Sequence, residues 1–243
     1  MAQTILVTGA GTGIGAATAR ELGAQNTVFV HYNSSKEPAE SVAAAIEADG
    51  GTAHVLQADL TTEEGCRSLV AQVGKLTAHL DVLVNNSGGL VERRPIAEID
   101  WDVMERVFRL NTFSLIQMTG LCVPLLEKAE APVIINLSSI VVRHGAAGAT
   151  LYGASKGAVD VFTRGSAKEL APKIRVNAVS PGVIETPFHD KVSTQQQLEN
   201  WRNTAPLKRN GTAAHIAHAV RFLIENEFTT GETVDVNGGM FMR

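Results

Sequence analysis

Short apolar runs of strand length recur from one end of the chain to the other, each followed by a longer segment with helical spacing. The runs are "TILVT" (4–8), "TVFVH" (27–31), "AHVLQ" (53–57), "DVLVN" (81–85), "PVIINLS" (132–138), "IRVNAVS" (174–180) and "ETVDV" (232–236). Helical periodicity occupies 16–23, 39–48, 63–76, 101–119 and 151–170. A strand that is apolar throughout, with no polar face, has to be covered on both sides, which is the condition of a parallel sheet between two helical layers. Right-handed crossovers then wind such a sheet twice. The expectation is a Rossmann-type α/β fold, a doubly wound parallel sheet of about seven strands with helices on both faces. Without a repeat or a linker, one domain over 1–243 is expected. The rhythm breaks at 186–212, a polar, Gln-rich stretch bounded by Pro187 and Pro206, which reads as a flexible substrate flap.

Composition narrows the function. Of 243 residues, 44% are hydrophobic and 19% charged, which suits a packed core and excludes a disordered chain. A net charge of −4 and the lack of any basic run argue against nucleic acid or anionic membrane as partners. No window nears the ~18 continuous apolar residues of a membrane span, and the first residues carry no targeting pattern. A cytoplasmic enzyme is the expectation. Cys66 and Cys122 have no metal-like spacing, so free thiols and no metal site are expected.

"TGAGTGIG" (8–15) follows the first strand and opens the first helix. Glycines at such a turn let the backbone approach a pyrophosphate, and the helix N-terminus offers free N–H groups to its charge. The spacing reads as Gly9-x-x-x-Gly13-x-Gly15 or as G-x-G-x-x-A from Gly11 to Ala16, and both stay open. After the second strand, "FVHYNSSKEP" shows no acid before Glu37. A carboxylate would grip ribose hydroxyls and repel a 2′-phosphate, whereas Asn33, Ser34, Ser35 and Lys36 can bind one. NADP is therefore expected over NAD; the alternative is a polar turn in which Ser34 or Ser35 caps the next helix.

In "TLYGASKGAVDVF" (150–162), Tyr152 and Lys156 stand four apart and so share a helix face. A phenol titrates too high for base work at neutral pH, and a neighbouring ammonium should lower it. Such a pair can pass a proton to or from a substrate oxygen. With two tyrosines in the chain, a chance Y-x-x-x-K has a probability of about 7%, so the surroundings decide. Ser139, in "VIINLSSIV", lies at the C-terminal end of the fifth apolar run, the edge where open α/β sheets bind ligands. Its hydroxyl can hold a carbonyl for attack.

Taken in order, these motifs resemble the short-chain dehydrogenase/reductase family, and the match runs from Thr4 to Gly239. "NNSG" (85–88), "LN" (110–111), Ser139, "YGASK" and "SPGVIETPF" (180–188) join the glycine loop in that likeness. The resemblance implies Ser139, Tyr152, Lys156 and Asn111 as the catalytic set. Tyr152 would be acid or base, Lys156 would tune it and hold the nicotinamide ribose, Ser139 would orient the carbonyl, and Asn111 would position a water of a proton relay. It also implies a cofactor surface of Gly9, Gly11, Thr12, Gly13, Ile14, Gly15, Asn33, Ser34 and Ser35. Asp59 and Leu60 would lie at the adenine, Asn86, Ser87 and Gly88 along the ribose, and Pro181, Gly182, Val183 and Thr186 over the nicotinamide. Two positions depart from the family pattern: Ser87 replaces the usual alanine, and Thr12 stands where many NADP enzymes have a basic residue.

The overall pattern is most similar to the 3-oxoacyl-(acyl carrier protein) reductase branch, which makes a 3-oxoacyl thioester the first substrate expected. That pattern is shared by reductases of sugars, small ketones and aldehydes. A non-catalytic NADP(H)-binding sensor is the reading from another class. Arg93, Arg94, Arg143 and His144 fall in loops on the ligand side, to meet an anionic substrate or as solvated loop charge. The family likeness further implies a homotetramer built on the helices of Asn111 and Tyr152, with the tail "MFMR" at another contact.

Overall fold

The computed structural model describes residues 2–242, apart from the side chains of Asp190 and Lys191. All seven expected runs are strands. In chain order the strands are β1 Thr4–Val7, β2 Thr27–Tyr32, β3 Thr52–Gln57, β4 Val82–Asn85, β5 Val133–Leu137, β6 Arg175–Pro181, β7 Ile184–Glu185, β8 Gly211–Thr212 and β9 Thr233–Val236. Seven of them form one parallel sheet of order β3-β2-β1-β4-β5-β6-β9, while β7 pairs only with β8. The winding reverses between β1 and β4, where Ile5 pairs with Val28 on one side and Val82 on the other. Loops leaving β1 and β4 therefore diverge and open a crevice at the carboxyl edge.

The helices are α1 Gly13–Glu21, α2 Lys36–Ala48, α3 Glu63–Leu76, α4 Trp101–Phe108, α5 Ser114–Leu126, α6 Val141–His144, α7 Thr150–Leu170, α8 Pro187–Val192, α9 Gln195–Thr204 and α10 Ala213–Glu225. They cover the sheet in two layers. Ala19, Val42, Ile46 and Val220, from α1, α2 and α10, pack on one face. Leu69, Met118, Cys122 and Ala167, from α3, α5 and α7, pack on the other. Alternate residues of β5 divide between the layers, Ile135 to the first and Ile134 to the second, both fully buried. Burial of each side chain of this size stabilises by about 1.5–3 kcal/mol, which is why the apolar runs read so clearly.

Two stretches carry structure beyond the expected pattern. The helical pattern at 101–119 is broken by a five-residue π-helical turn, Arg109–Phe113, and continues past it to Leu126 with Pro124 inside. A π turn inserts where a side chain competes for the helix ladder: the Asn111 amide donates to the Val107 carbonyl at 2.9 Å. Beyond Thr119 the helix is held by its buried stripe Met118, Cys122 and Leu126 despite Gly120 and Pro124. The segment 186–212 folds as α8 and α9, and β7–β8 ties its ends. Thr194 and Gln197 form a capping box at the start of α9, a local signal its polar composition concealed. Among the described residues, no helix is long and apolar enough to cross a membrane.

Candidate active site

The first βα turn is a cradle that only glycine can line. Gly9 and Gly13 have φ of 63° and 56°, which side chains rarely adopt. A Cβ on Gly15 would stand 2.3 Å from the Gly9 carbonyl oxygen, and one on Gly11 would stand 2.5 Å from Ser35 Oγ. Thr12 gives α1 no side-chain cap, and the first turn of that helix carries no acid. Its N–H groups are left for an external anion, so the loop fits a pyrophosphate.

The loop is held from β4. The Asn86 amide donates to the carbonyls of Thr8 and Gly9 at 2.8 and 3.0 Å, while Thr8 Oγ1 accepts the N–H groups of Asn86 and Ser87 at 2.9 and 3.0 Å. Thr8 is thus a hub that reading the glycines alone passed over. After β3, Asp59 Oδ1 accepts from the Thr61 N–H and hydroxyl, and Leu60 is buried beside it. Asn33 and Ser34 are exposed. Ser35 precedes α2 without capping it, so its hydroxyl faces Gly11 free of the role that the alternative reading gave it. Ile14 packs against the first core layer. On the other side, Thr186 comes to 3.4 Å from where a Gly13 Cβ would sit, and Gly182 lies against the Asn237 backbone. Pro181 ends β6, where its carbonyl accepts the Ile140 N–H at 3.0 Å. Val183, one residue before β7, accepts the Gly211 N–H at 2.9 Å. The sheet therefore gathers the expected cofactor residues along one edge.

Four further side chains meet beyond the loop. Ser139 follows β5, and its Oγ accepts the Val141 N–H at 3.3 Å, which leaves its own proton to donate. Lys156 is buried, and its Nζ donates to the Leu137 carbonyl at 2.7 Å. Asn111, fully buried in the π turn, exchanges two hydrogen bonds with the Gly89 backbone at 2.8 and 2.9 Å. A Cβ on Gly88 would stand 2.8 Å from Asn111 Oδ1 and 3.0 Å from Lys156 Nζ, so these groups converge on one point. Val141 packs on Gly153, one residue from Tyr152, which brings the Ser139 segment onto α7.

Burial acts against the expected lowering of Tyr152 by Lys156. Burial pushes the Tyr152 phenol up to about 12, opposed only by its interaction with the Ser139 side chain. Burial also pushes Lys156 down to about 8. Tyr152 keeps some exposure as a whole residue, but its hydroxyl is the desolvated part. The Lys156 ammonium spends a hydrogen bond on the Leu137 carbonyl. With its phenol pushed up by burial, Tyr152 favours the protonated form at neutral pH.

The segment after β7 reaches Tyr152. The Phe188 ring stands 6.5 Å from that of Tyr152, and His189 and Trp201 continue the aromatic row from α8 to α9. Of the four ligand-side basic residues, Arg143 turns inward. It pairs with Asp160 at 2.9 Å and lies 3.6 Å from Asp235, so burial in a salt-bridge cluster removes it from substrate contact. Arg94 is engaged with Glu92 and Asp100, His144 is exposed, and Arg93 Nε donates to the Val192 carbonyl at the end of α8. A cleft of about 420 Å³ opens between Arg93, Arg94 and the Ala147–Gly148 loop. Sequence reading also missed a buried amide chain from Thr119 through Asn85 and Asn136 to Thr163, which fixes α5 and α7 to the sheet. Polar residues inside two apolar strands were its only signal.

This fold and site are those of a dinucleotide-dependent oxidoreductase. The enoyl-(acyl carrier protein) reductase family model matches residues 9–241. A 3-oxoacyl-[acyl-carrier-protein] reductase of Staphylococcus aureus is 36% identical over 250 residues, covering 100% of this chain and 99% of that protein. Cyclopentanol dehydrogenase of Comamonas is 33% identical, covering 98% and 96%. Among solved structures, an NADH-dependent reductase, A1-R′, responsible for alginate metabolism superposes with a TM-score of 0.91 at 30% identity, covering 100% and 98%. The chain belongs to the short-chain dehydrogenase/reductase family.

Proposed function

We propose that the protein is an NADP(H)-dependent carbonyl reductase, with Ser139, Tyr152, Lys156 and Asn111 as its catalytic set and one domain serving both cofactor and substrate. The observation that carries the reading is the convergence of Asn111 Oδ1 and Lys156 Nζ on the space above Gly88, 2.8 and 3.0 Å from one point, beside the Ser139–Tyr152 pair. When bound, the nicotinamide supplies hydride to the carbonyl carbon. The Ser139 hydroxyl, one lone pair taken by the Val141 N–H, donates to the carbonyl oxygen and orients it. Tyr152 delivers the proton to that oxygen, the role its protonated state suits. Lys156 supports the phenolate as it forms, and Asn111 holds the π turn open to the relay that returns a proton. The phosphates would lie on the glycine loop and the N-terminus of α1, with Asp59 and Leu60 at the adenine.

NADP is favoured over NAD by the absence of a carboxylate at 33–36 and by the free Ser35 hydroxyl beside Gly11. A 3-oxoacyl thioester is the first substrate by similarity to the staphylococcal reductase. A small cyclic ketone is the second reading, favoured by the Phe188–Tyr152 contact, which narrows the site, and by the cyclopentanol dehydrogenase likeness. Exposed Trp101, Phe113, Ile116 and Val161, on α4, the π turn, α5 and α7, support a homotetramer that uses this face. Turnover of an acetoacetyl thioester, cyclopentanone and a sugar-derived aldehyde, each with NADPH and with NADH, tests the proposal. Efficient reduction of one of them with NADPH is expected. Tight NADPH binding without turnover of any would instead support a sensor, and equal kcat/KM with NADH would refute the cofactor preference.

A further inference from the structure

His31 is the last but one residue of β2, only 2% exposed, and plays no part in the mechanism above. Its ring lies between two segments of the proposed cofactor cleft. The Gly9 N–H donates to His31 Nδ1 at 3.0 Å, and His31 Nε2 lies 3.1 Å from the Ala58 carbonyl oxygen. The His31 backbone carbonyl also accepts the Ala10 N–H at 2.7 Å. Gly9 is the residue whose φ of 63° starts the glycine loop, and Ala58 precedes Asp59 at the adenine end.

The chemistry of these partners leaves the ring one state. A backbone N–H can only donate, so Nδ1 must be bare; a carbonyl can only accept, so Nε2 must carry the proton. A second proton on Nδ1 would set donor against donor in a dry site. We infer that His31 is a positioning residue for the cofactor: its neutral Nε2–H imidazole sets the Gly9 turn and fixes its distance from the Ala58–Asp59 segment. The inference rests on the proposed dinucleotide binding.

The groups around the ring agree. Asp59 is the charge that acts on it and favours the cation, yet desolvation outweighs that pull and lowers the imidazole to about 4. The Asp59 carboxylate is itself engaged by Thr61. The glycine loop, β1 and β4 bring no titratable side chain. On β3, His54 stacks on Phe29, two residues back along β2. From α3, the Cys66 thiol is pushed up to about 11 and stays neutral. The Ala58 carbonyl and Asp59 both favour the charged ring, and desolvation outweighs them together.

The test uses wild type, His31→Asn and His31→Leu, with the dissociation constant of whichever of NADPH and NADH binds wild type more tightly, read by nicotinamide fluorescence. An asparagine amide offers one acceptor and one donor, and leucine offers neither. Expected are wild-type nitrogen shifts of an Nε2–H tautomer, affinity within about threefold of wild type for His31→Asn, and at least about tenfold weaker binding for His31→Leu. Should His31→Leu not fold, His31→Met takes its place, and the wild-type tautomer decides the matter independently of either variant. An Nδ1–H tautomer, or a leucine variant of lower Tm with unchanged affinity, would overturn the inference and leave a core histidine. Failure of wild type to bind either dinucleotide would instead defeat the functional reading itself.

Discussion

Replacing Asp160 with alanine should be among the most damaging single changes outside the reaction centre. The Asp160 carboxylate is 4% exposed and serves three elements. Its Oδ2 accepts from Arg143 Nη1 at 2.9 Å and from Arg164 Nη1 at 3.3 Å, and its Oδ1 accepts from the Thr233 hydroxyl at 2.9 Å. Arg143, 17% exposed, would keep Asp235 at 3.6 Å as its anionic neighbour among the described residues. Removing one member of a buried pair costs about 3–5 kcal/mol, because the other charge stays desolvated. For a domain of this length that is a fall in Tm of roughly 6–20 °C. Arg164 is 53% exposed, and its truncation should cost under about 0.5 kcal/mol. Urea denaturation followed by circular dichroism gives the measurement, with the m-value checking that compactness is unchanged. Arg143→Met combined with Asp160→Leu should recover part of the loss, since neither charge of that pair is left stranded, although Asp235 loses its neighbour. A cost below about 1 kcal/mol for Asp160→Ala, or strict additivity in the double variant, would refute the reasoning.

Three further outcomes follow from the site. His31 is lowered from its ordinary 6.5 to about 4 in the fold; the unfolded chain therefore binds the extra proton first, and the stabilisation is complete above about 6.5 and lost as pH falls toward 4. It amounts to about 3 kcal/mol, and urea midpoints at neutral and acid pH should show a steeper acid loss for wild type than for His31→Asn. Gly88→Ala drives a methyl group to 2.8 Å from Asn111 Oδ1 and 3.0 Å from Lys156 Nζ; steady-state kinetics should show kcat lowered at least about tenfold by displacement of these groups. Carbonyl reduction should decline as pH rises through about 8, where Lys156 loses its proton, while Tyr152, pushed up to about 12, stays protonated; a rate that instead climbs through this window contradicts the assignment.

The sheet was legible in the sequence because its strands are apolar on both faces, a pattern with few solutions. Ser139, Tyr152 and Lys156 were legible because helix spacing and the sheet edge are local rules that place them together. The π turn at Asn111 was only half visible: an asparagine in a helix signals a bend, but its register depends on Gly89, which lies 22 residues away. The inward turn of Arg143 was not legible at all, since Asp160 and Asp235 reach it through tertiary packing. The burial that pushes the Tyr152 phenol up was not legible either, since sequence shows a neighbouring charge and does not show desolvation. His31 hid for a similar reason: inside an apolar strand, nothing local indicates that both ring nitrogens have backbone partners.

The central claim is that Tyr152 gives the proton while the nicotinamide gives hydride. Its most direct test compares wild type and Tyr152→Phe in single-turnover oxidation of bound NADPH by a carbonyl substrate that wild type reduces. The account predicts a loss of several orders of magnitude in rate with cofactor affinity within a few fold of wild type. Turnover by the phenylalanine variant at the wild-type rate would contradict it.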